Sequence, residues 1–177
     1  MTPAELIKIM PLAGQRASLF AQPLTDAMLE FGVTTPKQQA AFLAQVAHES
    51  ASLRYMLEIA SGEAYDTGPL AARLGNTPED DDDGRRYKGR GPFMITGTDN
   101  YRACGTALGL DLLAHPELLE QPVPACRSAG WFWKTHGLNR FADADQYGSL
   151  TKAINGGYNG LDDRIVHWLR ARKALGL

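Results

Sequence analysis

The chain has 177 residues, of which 44% are hydrophobic and 21% are charged. This length suffices for one domain with a sizeable core, and the composition excludes a disordered or fibrous chain. A formal net charge of -2 excludes a protein that depends on a large positive field to bind nucleic acid. We therefore expect a single domain over residues 1–177.

The N-terminal sequence and the hydropathy pattern predict a chain that is made in the cytoplasm. No basic segment followed by an apolar stretch comes after Met1, so no Sec signal peptide is predicted. No stretch approaches the roughly 18 apolar residues of a membrane span. Cys104 and Cys126 are too few for a disulfide framework, and their spacing fits no zinc site. Two buried free thiols are therefore favoured over a single disulfide.

Helix start signals dominate the first third of the chain. Pro3 is expected to open a first helix, and a second is expected over about residues 23–31, starting at a proline. Thr35 and Gln38 have the spacing of a capping box at the start of a third and longest helix. Its apolar periodicity predicts an end a little after Arg54.

Glycines and an acidic run interrupt the helical pattern in the middle of the chain. Residues 60–91 are predicted to form a long loop with one short helix around Leu70. The acidic run over residues 79–83 resembles a calcium loop, but Arg90 stands where that loop needs a bidentate Glu, so a solvated loop is predicted. Loops of this length usually carry function. A short extended piece is expected at 91–97, and helices at about 100–108, 125–135, 146–154 and 162–174.

Glu49 interrupts the apolar stripe of the third helix. At 3.6 residues per turn it lies within about 20° of Phe42, and Leu53 belongs to the same stripe. Two interpretations remain open at this point. The carboxylate reaches solvent from the edge of the stripe, or it is a partly buried carboxyl that keeps a proton as a general acid.

If Glu49 is a general acid in glycoside hydrolysis, it needs a second carboxyl group about 5 to 9.5 Å away, the spacing depending on the mechanism. Glu58 and Glu63 are the nearest candidates, and a solvated surface role for Glu58 is the alternative. On a continuous helix Glu58 would lie about 13.5 Å along the axis from Glu49 and on the opposite face. Pairing with Glu49 therefore requires the helix to end or bend before Glu58. Tyr65, which follows, is one of several aromatic residues that could stack on a sugar face.

Three segments carry a recognisable pattern in a defined order, namely Ala44–Ser50, Tyr87–Gly97 with Asn100 and Tyr101, and Thr151–Gly157 with Asp163 and Arg164. Together they resemble the family 19 glycoside hydrolases, which include chitinases and phage endolysins of lysozyme type. The resemblance implies a mostly α, two-lobed lysozyme-like fold with a sugar cleft between the lobes. It also implies an inverting acid/base mechanism with no metal or other cofactor.

The resemblance assigns roles residue by residue. Glu49 matches the general acid, Glu58 matches the second carboxylate of the compact endolysin branch, and Thr96 matches the hydroxyl that helps to hold the attacking water. Arg164 and Asn155 match cleft residues that bind sugar or organise the carboxylates. The expected substrate-binding residues are His48, Tyr87, Arg90, Asn100, Tyr101, Asn155 and Arg164. One departure is Met94, which occupies a position where the family usually has Gln, so sugar contacts there are expected to differ.

The expected substrate is peptidoglycan, and the alternatives are chitin oligomers or a glycan that is bound but not cut. Peptidoglycan is favoured because the chain is short and lacks a secretory signal, a chitin-binding domain and the cysteine-rich scaffold of secreted plant enzymes. The expected partner is therefore the peptidoglycan glycan strand, with no nucleic acid, no stable membrane anchor and a monomeric state. Access to the wall is expected through a phage holin or contact-dependent secretion.

Overall fold

The computed structural model describes residues 1–177, and it is built almost entirely from helices. The α-helices, in chain order, are α1 (Pro3–Ile9), α2 (Arg16–Glu30), α3 (Pro36–Glu49), α4 (Gly68–Leu74), α5 (Asp83–Arg86), α6 (Thr98–Leu108), α7 (Pro122–Thr135), α8 (Asn139–Asp143), α9 (Tyr147–Asn155) and α10 (Leu161–Ala174). Short 3-10 turns lie at Pro11–Ala13, Glu63–Tyr65 and Pro116–Glu120. The mostly α fold is therefore confirmed. No helix has the length and apolar character needed to span a bilayer.

Two hydrophobic clusters divide the protein into two lobes. The larger cluster contains 28 buried residues, drawn mainly from α1, α2, α3 and α7, and the smaller contains 7 buried residues from the segment between Tyr87 and Leu119. Trp133 of α7 is fully buried in the larger cluster, and its ring packs edge-on against Phe42 of α3 at 5.3 Å between centroids. The longest helices thus form one lobe, and the interrupted middle of the chain forms the other.

α2 begins earlier than predicted, because Pro23 lies inside the helix and not at its start. A proline in a helix interior removes one backbone hydrogen bond and disfavours the preceding turn. Here Phe20, Ala21 and Leu24 flank Pro23 on the buried face of α2, which packs along α7. Burial of that apolar face outweighs the local preference, which sequence signals alone do not reveal.

α3 begins as predicted and ends sooner than predicted. The hydroxyl of Thr35 accepts a hydrogen bond from the backbone N–H of Gln38 at 3.2 Å, and the Gln38 side chain accepts one from the backbone N–H of Thr35 at 3.2 Å. The capping box is therefore confirmed. The helix ends at Glu49 and does not reach Arg54.

A left-handed turn directly after Glu49 ends α3. Ala51, Ser52 and Leu53 have φ values of 47°, 58° and 67°, a region that residues with a side chain rarely adopt. The Ser50 hydroxyl donates to the carbonyl of Val46 at 2.6 Å and accepts from the backbone N–H of Leu53 at 2.8 Å. Leu53 is buried in the larger cluster, so its burial and the two hydrogen bonds offset the local cost of the turn.

The long loop and the cysteines follow the sequence analysis in most respects. α4 is the short helix predicted around Leu70, whereas α5 was not predicted. Cys104 and Cys126 are both buried and free, as predicted. Burial raises the pKa of the Cys104 thiol to about 12 and raises that of Cys126 as well. Both cysteines are therefore protonated packing residues at neutral pH.

Candidate active site

The end of α3 holds the carboxyl group of Glu49 against α10. Arg164 donates from Nη2 to Oε1 of Glu49 at 2.6 Å. The Arg164 side chain is 2% exposed, and the Glu49 side chain is 23% exposed. Glu49 thus keeps one side toward solvent while Oε1 is tied to a buried cation. The oxygen Oε2 remains for contact with a substrate.

Arg164 is held in turn by residues that sequence reasoning did not single out. Its Nη1 donates to the side-chain carbonyl of Gln45, and its Nε donates to the backbone carbonyl of Asn159 at 3.2 Å. Gln45 itself donates to the hydroxyl of Thr151 at 3.1 Å. The guanidinium is buried against Glu49 and Gln45, so its contacts match one of the two expected roles of Arg164, the organisation of a carboxyl group, and not the binding of sugar. Its role is to orient the Glu49 carboxyl group.

The ion pair between Arg164 and Glu49 is expected to stabilise the fold. Arg164→Met should lower the free energy of unfolding by about 3 kcal/mol, because the substitution leaves Gln45 and Glu49 without their common donor. Urea denaturation measures the change, and Arg170→Met, at an exposed position of α10, is the matched control. Equal stability of the two variants would contradict this role.

His48 lies one residue before Glu49 and also contacts α10. Its Nδ1 is 2.7 Å from Oδ2 of Asp163, and a hydrogen bond from His48 is the main cause of a lowered pKa of Asp163. Gly160 lies against the His48 ring, because a Cβ placed there would come within 2.2 Å of it, and its φ of 70° also favours glycine. The ring is thus fixed beside the candidate acid. A sugar contact of His48 stays a prediction.

Glu58 is held by the smaller lobe. Its backbone N–H donates to the carbonyl of Gly89 at 2.8 Å, next to an isolated β-bridge between Leu57 and Arg90. Its Oε2 accepts from the backbone N–H of Gly89 at 2.9 Å, and its Oε1 accepts from the Tyr65 hydroxyl at 2.8 Å. Because α3 ends at Glu49, the chain is free to bring Glu58 back onto this segment.

Glu63, the other candidate for the second carboxylate, lies in a different setting. Its side chain is 69% exposed and faces Arg85 at 3.6 Å. A solvated ion pair of this kind contributes little and orients a carboxylate weakly. The geometry therefore supports Glu58 over Glu63.

Thr96 and Glu58 meet at Gly89. A Cβ at Gly89 would lie 3.1 Å from Oε2 of Glu58, 3.3 Å from Oγ1 of Thr96 and 3.0 Å from Cβ of Met94. The Thr96 hydroxyl donates to the carbonyl of Met94 at 2.8 Å, so its oxygen is left to accept from a water molecule. The carboxylate and the hydroxyl thus lie against the same glycine.

Two of the predicted sugar-binding residues, Asn100 and Asn155, have exposed side-chain amides. Asn100 donates to the backbone carbonyl of Thr96 at 2.7 Å, and Asn155 donates to the backbone carbonyl of Asn159 at 3.3 Å. In each case the amide oxygen remains to accept a hydrogen bond from a ligand. Their contacts with sugar stay predictions.

Tyr87, Arg90 and Tyr101 lie inside the smaller lobe. Tyr101 is fully buried, and its hydroxyl donates to the carbonyl of Lys88 at 2.7 Å. Tyr87 is also buried, and its hydroxyl donates to a backbone carbonyl at 3.2 Å. Arg90 is also buried, and it donates to Tyr101 at 2.9 Å and to Glu120 at 2.8 Å. The predicted substrate contacts of these three residues are therefore corrected. They support the segment that carries Gly89.

The two carboxyl groups are held by different lobes. Glu49 contacts a cation in the larger lobe, whereas Glu58 accepts from two neutral donors in the smaller lobe. Two carboxyl groups and a hydroxyl are the residue types that glycoside hydrolysis with inversion needs. The structure contains no cluster of three or more His, Cys, Asp or Glu side chains that could hold a metal ion.

Comparisons with known proteins agree with this chemistry. A sequence model described as chitinase class I of glycosyl hydrolase family 19 matches residues 26–146. A Haemophilus influenzae protein described as containing a glycosyl hydrolase family 19 domain is 32% identical over 170 residues, which cover 81% of this chain and 82% of that protein. An Arabidopsis thaliana endochitinase is 38% identical over 154 residues, which cover 82% of this chain and 50% of the plant protein. The chain thus spans about half the length of that plant relative.

A solved structure has the same fold. Chitinase C from Streptomyces griseus superposes with a TM-score of 0.78 at 26% sequence identity, and the match covers 98% of this chain and 76% of the chitinase chain. The similarity therefore extends over both lobes.

Proposed function

The chain belongs to glycoside hydrolase family 19, and we propose that it cleaves the β-1,4 bonds between the amino sugars of peptidoglycan with inversion at the anomeric carbon. The observation that carries the proposal is the pair of carboxyl groups Glu49 and Glu58, each held by hydrogen bonds from its own lobe. The enzyme acts on glycan strands as a monomer. It reaches the wall after holin-type release or contact-dependent delivery.

The reaction transfers two protons and exchanges one bond at the anomeric carbon. Glu49 gives the proton on Oε2 to the glycosidic oxygen, and the bond from that oxygen to the anomeric carbon breaks. A water held by Thr96 attacks the anomeric carbon from the opposite face and gives its proton to Glu58. Arg164 keeps Oε1 of Glu49 in place, so the protonated oxygen faces the substrate.

A small pocket beside Thr96 favours peptidoglycan as the substrate. Its volume is about 170 Å³, and its lining residues are Leu74, Phe93, Met94, Ile95, Thr96, Asn100, Trp131, Phe132 and His136. Muramic acid carries a lactyl ether with a methyl group, a branch that chitin lacks. A mainly apolar wall that includes Met94 suits this methyl group better than the Gln usual in the family, and the Asn100 amide remains for a polar contact.

Chitin hydrolysis is the second candidate function. It is favoured by the similarity to proteins described as endochitinases and to chitinase C. Both substrates contain β-1,4-linked N-acetylated amino sugars, so the same pair of carboxyl groups would serve either one.

Analysis of the reaction products distinguishes the candidates. Purified protein is incubated with isolated peptidoglycan and separately with soluble chitin oligomers, and new reducing ends are identified by mass spectrometry. We expect peptidoglycan fragments that end in N-acetylmuramic acid, with none from Glu49→Gln. Products from chitin alone would establish the chitinase instead. Binding of either glycan without cleavage would indicate a glycan-binding module.

A further inference from the structure

Tyr65 contacts the second carboxylate through its hydroxyl group. The hydroxyl donates to Oε1 of Glu58 at 2.8 Å, while the backbone N–H of Gly89 donates to Oε2 at 2.9 Å. Each carboxylate oxygen therefore has one donor from the protein, and the two donors come from different segments. Such a pair of hydrogen bonds defines the rotation of the carboxylate plane.

Buried side chains hold Tyr65 in this position. Asn76 is buried and donates from Nδ2 to the backbone carbonyl of Tyr65 at 2.8 Å. The Oδ1 of Asn76 accepts from the backbone N–H and the hydroxyl of Thr98, both at 2.9 Å, which ties the tyrosine to the first residue of α6. The next residue, Asp66, is also buried and accepts from the backbone N–H of Gly84 at 2.7 Å.

The loop over residues 60–91 therefore has an ordered scaffold that ends at a reacting group. We propose that Tyr65 is a positioning residue for Glu58, and that the loop serves to deliver its hydroxyl to Oε1. The hydrogen bond holds the carboxylate in the orientation that faces the water on Thr96. The proposal rests on the role of Glu58 in the proposed function.

The Tyr65 hydroxyl is suited to act as a permanent donor. Burial is the main cause that raises the pKa of Tyr65 to about 12, and the hydrogen bond to Glu58 adds to it. The phenol thus keeps its proton throughout the neutral range. Each oxygen of Glu58 retains a lone pair after this contact, so the carboxylate is still able to accept a proton from water.

Tyr65→Phe tests the inference because it removes the hydroxyl and keeps the ring. We expect kcat to fall about tenfold or more, since a hydrogen bond to a charged group is lost, with KM changed less than about twofold. A merely structural role would lower the melting temperature and leave kcat and KM near the values of the parent protein.

Tyr55→Phe is the matched control. Tyr55 is also half-buried, lies close to Glu58 in the chain, and makes no hydrogen bond through its hydroxyl. We expect this variant to keep the kcat and the KM of the parent protein. Asn76→Ala should reproduce the loss of kcat, because the support of Tyr65 is lost, and should add little in combination with Tyr65→Phe.

The outcomes separate this inference from the proposed function. Full activity of Glu58→Gln would overturn the role of Glu58 and with it both proposals. An inactive Glu58→Gln together with an unchanged kcat in Tyr65→Phe would overturn only the role of Tyr65.

Discussion

Glu49→Gln is expected to lose essentially all glycosidase activity while the fold is retained. The amide has the shape of the carboxyl group, and its oxygen still accepts from Arg164, but it has no proton to give to the leaving oxygen. General acid catalysis contributes about 10²–10⁴-fold to a rate, so a loss in kcat of about 10³-fold or more is expected. Reducing-end release from the preferred glycan measures it.

The control for Glu49→Gln is a substitution of the same kind at an exposed site. Glu117→Gln removes a carboxylate whose side chain is 59% exposed, and it should leave activity unchanged. Circular dichroism and thermal unfolding of Glu49→Gln should match the parent protein. Normal turnover by Glu49→Gln would remove Glu49 from the reaction and the acid/base mechanism with it.

Glu58→Gln has the second of the two largest expected effects. Without a carboxylate to take the proton of the attacking water, kcat should fall by about 10²–10⁴-fold. A small anionic nucleophile attacks the anomeric carbon without transferring a proton to a general base. Its addition therefore distinguishes the loss of the base from a displacement of the acid Glu49. Azide added to Glu58→Gln should restore part of the turnover and give a glycosyl azide of inverted configuration, because Glu49 still protonates the leaving group.

Glu63→Gln is the matched control for Glu58→Gln, since its exposed carboxylate lies nearby in the chain and pairs only with Arg85. We expect parent-level activity from it and no response to azide. If Glu63→Gln were inactive and Glu58→Gln active, the assignment of the second carboxylate would pass to Glu63.

Local signals explain why the start of α3 was predicted and its end was not. The capping box of Thr35 and Gln38 depends on groups three residues apart, which a sequence displays directly. The left-handed turn after Glu49 depends on the burial of Leu53 among residues from distant helices. No propensity scale favours such a turn of three residues with side chains, so the predicted helix ran on to about Arg54.

Side-chain direction explains the corrections within the site. Tyr87, Arg90 and Tyr101 belong to a recognisable motif, but a motif does not state which of its side chains face solvent. In the packed smaller lobe, all three side chains lie in the interior. The contact between Gln45 and Arg164 joins residues 119 positions apart, so no local signal could have revealed it.

Local sequence signals were sufficient to predict the helical class and the helix starts at Pro3 and Pro36, and they identified Glu49, Glu58 and Thr96 as candidates for acid/base chemistry. These features depend on local backbone preferences and on the chemistry of single side chains. Three further features emerge only from the tertiary structure: α3 stops at Glu49, Arg164 contacts Glu49, and Tyr65 reaches Glu58. These features depend on burial and on hydrogen bonds between distant segments, whose energies exist only once the lobes have packed.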